Sequence, residues 1–183
     1  MKKQIIWQDV ILKKIKIVFF FFIFFTIANF SIASERWVVD ETLSKIEFEL
    51  PVLFAKNVKG KFNSIDGFVE IDTNTKKNNK AIFSVLINDI EINYAKYKDL
   101  VLSDIFFDEK NFPRAVLDTK KFSYYDEGDI RIEVELSIKG KNEMVPLVIN
   151  VNRLTEELVQ IQSELIFSRN SFNIGTGNWK NTT

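Results

Sequence analysis

The chain has no histidine and no cysteine in 183 residues. That removes imidazole bases, thiolate nucleophiles, Ser-His-Asp triads, disulfides, histidine-ligated haem and zinc sites built on Cys or His. An anchor that needs a lipidated cysteine is excluded as well. Any catalysis would rest on carboxylate, Lys, Tyr, Ser or Thr groups. Basic and acidic residues number 25 each, so the basic excess of a nucleic-acid binder is missing and no nucleic-acid partner is expected. The phosphate-cradling pattern G-x-x-x-x-G-K is absent too.

What is present begins with an asymmetric N-terminus. Lys2, Lys3, Lys13, Lys14 and Lys16 precede the apolar run Ile17–Phe25, and Ser31-Ile32-Ala33 follows. A basic start, a short apolar stretch and a small-x-small exit are the marks of a secretory signal peptide. Residues 1–33 are read as that leader, cut between Ala33 and Ser34, with residues 34–183 as one exported, periplasmic domain. An uncleaved anchor is the rival, because Ile17–Ser34 is uncharged and nearly long enough to span a bilayer. Thr26, Asn29 and Ser31 weaken it. A chain of the remaining length buries about two-thirds of its unfolded surface and needs no covalent staple.

The rest reads as strands. Ile130, Ile132, Val134, Leu136 and Ile138 alternate with Arg131, Glu133, Glu135, Ser137 and Lys139, a period of two that puts one set on an apolar face and the other in water. Val145, Leu147, Ile149 and Val151 repeat it after the turn Lys139–Asn142, with Pro146 placed where a missing N–H does no harm. Further strands are expected over Lys45–Leu50, Val58–Phe62, Phe68–Asp72, Ala81–Ile87 and Val159–Phe167. A turn is read at Ser64–Gly67 and an exposed loop at Thr73–Lys80. Many short strands with regular turns indicate an all-β sandwich or barrel. Asn93–Leu102 departs from the pattern and has helical spacing. Phe106, Phe107 and Phe112 follow it, either plugging one barrel end or lining the entrance to an apolar pocket.

Parity then gives a candidate pocket. Ile132, Val134 and Leu136 point inward. Phe48, Phe62, Phe83, Val85 and Phe167 join them from their own strands, and Phe106, Phe107 and Phe112 close or line one end. Arg169 follows the last apolar strand and reads as a rim residue, gripping carbonyls or a carboxylate, or meeting a ligand headgroup. Lys96, Lys98 and Asp99 read as a solvated helix face. The acidic groups Asp104, Asp108, Glu109 and Asp126, Glu127, Asp129 lack calcium-loop spacing and read as surface loops, so no metal is expected. No catalytic set emerges.

Several strings together resemble the YceI family of exported, lipocalin-like proteins. They are Trp37–Asp40, Ser44–Phe48, Asn57–Phe62, Asp66–Asp72, Leu102-Ser103 with Phe106–Asp108, Phe112-Pro113, Leu136–Gly140 and Arg169–Gly175. The resemblance implies an antiparallel β-barrel around a long apolar cavity. It implies a bound isoprenoid quinone, polyprenyl chain or other long-chain lipid, no catalytic residues, and a b561-type membrane cytochrome as partner. The alternatives are a small outer-membrane barrel and an envelope protein without a ligand. Two departures stand out. Asn173 occupies a position where the family usually has Gly, and Asn tolerates the left-handed backbone region. The resemblance also implies a closing strand after Gly175–Trp179, and Thr183 arrives first. Either the sequence is truncated there or the barrel closes with fewer paired residues, and Gly175–Thr183 is expected to be weakly paired. The lipid's identity and the oligomeric state are not encoded in any motif.

Overall fold

The computed structural model describes residues 34–50, 58–124 and 129–180. The leader reading and residue Ala33 lie outside them, as do Asp126 and Glu127. Among the described residues are ten strands and one short α-helix: β1 Ser34–Val38, β2 Ile46–Leu50, β3 Val58–Phe62, β4 Ile65–Asp72, β5 Lys80–Leu86, β6 Ile90–Ile92, α1 Lys98–Leu102, β7 Arg114–Asp118, β8 Ile130–Ile138, β9 Lys141–Arg153 and β10 Val159–Glu164. Every pairing is antiparallel. Seven strands form one sheet in the order β1-β4-β5-β7-β8-β9-β10, and β2-β3-β6 form a second.

The two sheets meet at a corner. β3 and β4 are separated only by Asn63-Ser64, and β5 and β6 by Ile87–Asp89. Ser64 carbonyl accepts from Leu86 N–H at 3.2 Å and Asp89 carbonyl from Asn63 N–H at 3.3 Å. Ser64 Oγ donates to Asp89 Oδ2 at 2.5 Å. A paired ribbon therefore passes from one sheet to the other without losing its ladder, which is how strands turn corners in orthogonal β packing. Right-handed strand twist adds to the bend, and the result is a curled half-barrel.

Local chemistry fixes the hairpins. Lys139 (φ 49°) and Gly140 (φ 70°) are both left-handed, and Ile138 pairs with Lys141, as a two-residue turn of the primed type requires. Pro146 sits opposite Glu133 and ahead of the stretch that β10 pairs, which starts at Val148. Asn173 is left-handed at φ 54°, as the departure from Gly demanded. The loop between β4 and β5 is exposed except at Lys76, which is half-buried, and Asn79, which is fully buried. Its side-chain oxygen accepts from Asp72 N–H at 2.9 Å and its amide donates to the carbonyls of Lys76 and Phe122 at 2.9 and 3.0 Å.

Three expectations need correction. Ser64–Gly67 is not a turn, because Ile65 is 3% exposed and opens β4. The last strand stops at Glu164 rather than Phe167, since the backbone leaves the ladder to enter a 3-10 turn at Arg169–Phe172. Three strands were not expected: β1, β6 and β7. β6 has three residues, and β7 has apolar residues on both faces and so shows no clean alternation. At the far end, Gly175 and Thr176 N–H both donate to Ile105 carbonyl, at 2.9 and 3.2 Å, and Gly177–Trp179 forms a 3-10 turn.

Candidate functional site

Register defines which residues share the concave face. Val134 pairs Val145, Leu136 pairs Leu117 across β7, Leu117 pairs Phe83, and Phe83 pairs Gly67. Partners directly opposite in a sheet project to the same side. The inner face thus collects Trp37, Ile65, Gly67, Val69, Val85, Phe83, Ala115, Leu117, Ile132, Val134 and Leu136 from five strands. The outer face carries Arg36, Glu70, Lys80, Asp118, Glu133 and Glu135. There Lys120 Nζ reaches Glu135 at 2.7 Å and Asp118 at 3.3 Å, with Lys80 4.0 Å from Asp118. Burial pushes the Asp118 carboxyl up, but the N–H and ammonium of Lys120, aided by Lys80, outweigh it and hold the group below its ordinary value.

The inner face has two zones. At one end Val134, Leu136, Ile138, Val145, Leu147, Phe106, Phe172 and Ile174 form a continuous buried core, with Ile65, Val85 and Ile87 beside it. Val134 is 0% exposed. Phe107 packs on both groups and meets Phe62 edge-on at 6.5 Å, and Phe62 lies 5.6 Å from Phe48. Phe106 meets Trp179 edge-on at 5.7 Å. Of the residues named from sequence, Val85, Phe106, Phe107, Val134, Leu136 and Phe62 belong to this packed base.

Towards the other end the face is less filled. Phe83 is half-buried there, as is Trp37, whereas the half-buried Ile132 packs against the core and the half-buried Phe48 against Phe62. Phe48 and Phe83 each stand opposite a glycine, Gly60 and Gly67. A Cβ on Gly60 would come 2.5 Å from the Phe48 ring, and one on Gly67 would come 2.7 Å from the Phe83 ring. Each ring thus lies across its glycine and not out over the concavity. The cross-strand glycines hold the aromatics flat against the wall. Phe112 behaves likewise over Gly140 at the hairpin turn, 2.6 Å from where a Cβ would stand, outside the concavity. Phe167, beyond the ladder and 39% exposed, packs edge-on against Phe172 at 5.3 Å.

Cations tie the base together. Arg169 is 8% exposed. Its Nη1 donates to the carbonyls of Ile174 (2.8 Å) and Gly175 (3.3 Å), its Nη2 to those of Trp179 (2.5 Å) and Lys180 (3.4 Å). The planar fork reaches four carbonyls of one loop, which a lysine could not do. Lys139 Nζ donates to Asp104 carbonyl at 2.5 Å and Asn173 carbonyl at 3.0 Å. Burial lowers its pKa, partly countered by Asp108 and Asp104. Phe172 and Ile174, absent from the sequence-derived set, are core because this clamp folds their loop inward. Their apolar character beside a buried-type arginine motif was the available signal.

A separate open cleft of about 630 Å³ is bordered by Asp99, Leu102, Ser103, Asp104, Asp108, Glu109, Lys110 and Asn111. Among the described residues no three carboxylates converge closely enough to hold a metal.

A curled antiparallel sheet with an apolar concave face, closed at one end by a short helix and aromatic loop, defines a lipocalin-like barrel. The chain belongs to the YceI-like domain family, whose match runs over residues 37–183. Solved structures of similar fold include BcnA of Burkholderia cenocepacia, 24% identical, with a TM-score of 0.70 over 78% of this chain and 89% of that one. A polyisoprenoid binding domain from Saccharophagus degradans is 16% identical, with a TM-score of 0.59 over 78% and 82%. The YceI protein of Campylobacter jejuni is 20% identical, with a TM-score of 0.54 over 76% and 84%. At such identities the likeness establishes the fold. No curated protein matches the chain in sequence.

Proposed function

We propose that the protein binds a long-chain lipid, quinone- or polyprenyl-like, on its concave face and carries it in the periplasm after losing residues 1–33. The observation that carries this reading is the division of the inner face. One end is a solid core, while the other presents the apolar side chains of Trp37, Val69, Phe83 and Val151, half-buried or exposed. Hydrocarbon burial is worth about 25 cal/mol per Å², so such a surface binds a chain without chemistry. Membership of the YceI-like family and likeness to a polyisoprenoid binding domain support it. The outward charges on β5, β7 and β8 oppose a membrane barrel, which shows lipid its apolar side. No catalytic role is proposed.

The test is native mass spectrometry of protein purified from its own host, followed by lipid extraction. A bound prenyl or acyl chain is expected, on a protein whose N-terminus is Ser34. Protein of bare mass across gentle preparations would overturn the binding reading, and an N-terminus at Met1 would overturn the export reading.

A further inference from the structure

We propose that the β9–β10 hairpin is the loading port through which a single hydrocarbon chain reaches the concave face; this rests on the lipid-binding reading above. On β9 the inward positions run Val145, Leu147, Ile149 and Val151. The first three are at most 9% exposed, and Val151 is 48% exposed. Its direct partner across the ladder, Ile161, is 43% exposed. The same apolar stripe that builds the core therefore emerges into solvent two residues later, at the open end. Leu154 and Leu158, 51% and 38% exposed, stand at the hairpin tip, one position past the inward pair Arg153 and Val159. They are held together by Leu154 N–H donating to Leu158 carbonyl at 2.9 Å.

The polar side chains on this face are turned onto backbone carbonyls. Ser163, which faces inward opposite Ile149, spends its hydroxyl on Val148 carbonyl at 2.9 Å. Arg153 turns its guanidinium onto the hairpin's own carbonyls, at Thr155 (3.2 Å) and Glu156 (3.1 Å). The track is two strands wide, about 4.8 Å between backbones. That suits one extended hydrocarbon chain and is too narrow for a helix of about 10 Å diameter. Its continuity with the buried stripe gives the chain somewhere to go, which a surface patch for a protein partner would not need.

The experiment follows transfer of a dansylated polyprenol from phosphatidylcholine vesicles to the protein purified as its host processes it. Ile161→Lys and Val151→Lys place a charge that the passing chain would desolvate, so the transfer rate should fall about tenfold or more. Ile161→Ser should fall less, in the same direction. Gln162→Lys, on the opposite face of β10, should transfer like wild type, and all four should keep the wild-type melting temperature. Equal rates in the Lys variants and wild type overturn the port. So does a change of oligomeric mass in Ile161→Lys without a change of rate, which assigns the face to contact between copies. A wild type that takes up no probe overturns the lipid-binding reading itself.

Discussion

Arg169 delivers a positive charge to a site almost closed to water and meets it there with carbonyl oxygens. Hydrogen bonds from a charged donor contribute about 1.5–3 kcal/mol each, and stranded acceptors cost more than absent ones. Arg169→Met should therefore destabilise by about 2–4 kcal/mol, seen as a lower denaturant midpoint with an unchanged slope. Lipid content should not change if the folded protein is recovered, because the guanidinium grips the base and not the open face. A loss of bound lipid without a loss of stability would return Arg169 to the headgroup role. Among ordinary residues, Gly60 and Gly67 matter for a similar reason. A Cβ at either would strike a backbone carbonyl as well as a ring, at 2.6 Å for Glu91 and 2.5 Å for Ile82, so neither can be filled by moving a side chain alone.

Among the elements, β8 shows best what periodicity conveys. Its polar and apolar sets separate because one side is wet and the other buried, and the structure keeps that parity from Ile130 to Ile138. Parity says which way Val134 points but not what it points into. Val134 meets packed core, so Val134→Phe should cost about 1–3 kcal/mol by overpacking and leave lipid uptake at the open end intact in the folded fraction. A thermal melt beside a lipid assay separates the two effects. β7 was illegible because Val116 faces outward as an apolar residue between inward Ala115 and Leu117, erasing the alternation. Asp66-Gly67 carries turn chemistry, yet the glycine serves the Phe83 ring in mid-strand. Phe106 and Phe107 were legible as rings in need of burial, whereas the clamp that brings Phe172 and Ile174 inward depends on distances that no spacing rule contains.

For the molecule as a whole, acid should act on the walls first. Asp40, Asp72 and Asp118 are held below their ordinary values, mainly by hydrogen bonds at Thr42, at Thr75 and, against burial, at Lys120; Glu91 is lowered by Lys61. Groups lowered in the folded state take up protons more readily when unfolded, so stability is full above their unfolded values of about 4 and is lost as pH falls below them. Lys139 has the opposite consequence. Its lowered pKa penalises the folded state while the amine is charged in both states, and that penalty lifts as pH rises towards the unfolded value near 10.5. Denaturant titrations from pH 2 to pH 7 should show a falling midpoint on the acid side. A flat profile would mean these hydrogen bonds persist in the unfolded ensemble.

The two indoles of the described domain stand in different zones, and that makes the protein its own optical instrument. Trp37 is half-buried on the concave wall opposite Val69, while Trp179 lies against Phe106 in the base. With one replaced by phenylalanine, the emission of the other becomes a local report. Trp37 should respond to a guest on the concave face and to early loosening of the wall in acid. Trp179 should stay constant through both and shift only when the base itself comes apart, so that filling, fraying and collapse have separate spectral signatures.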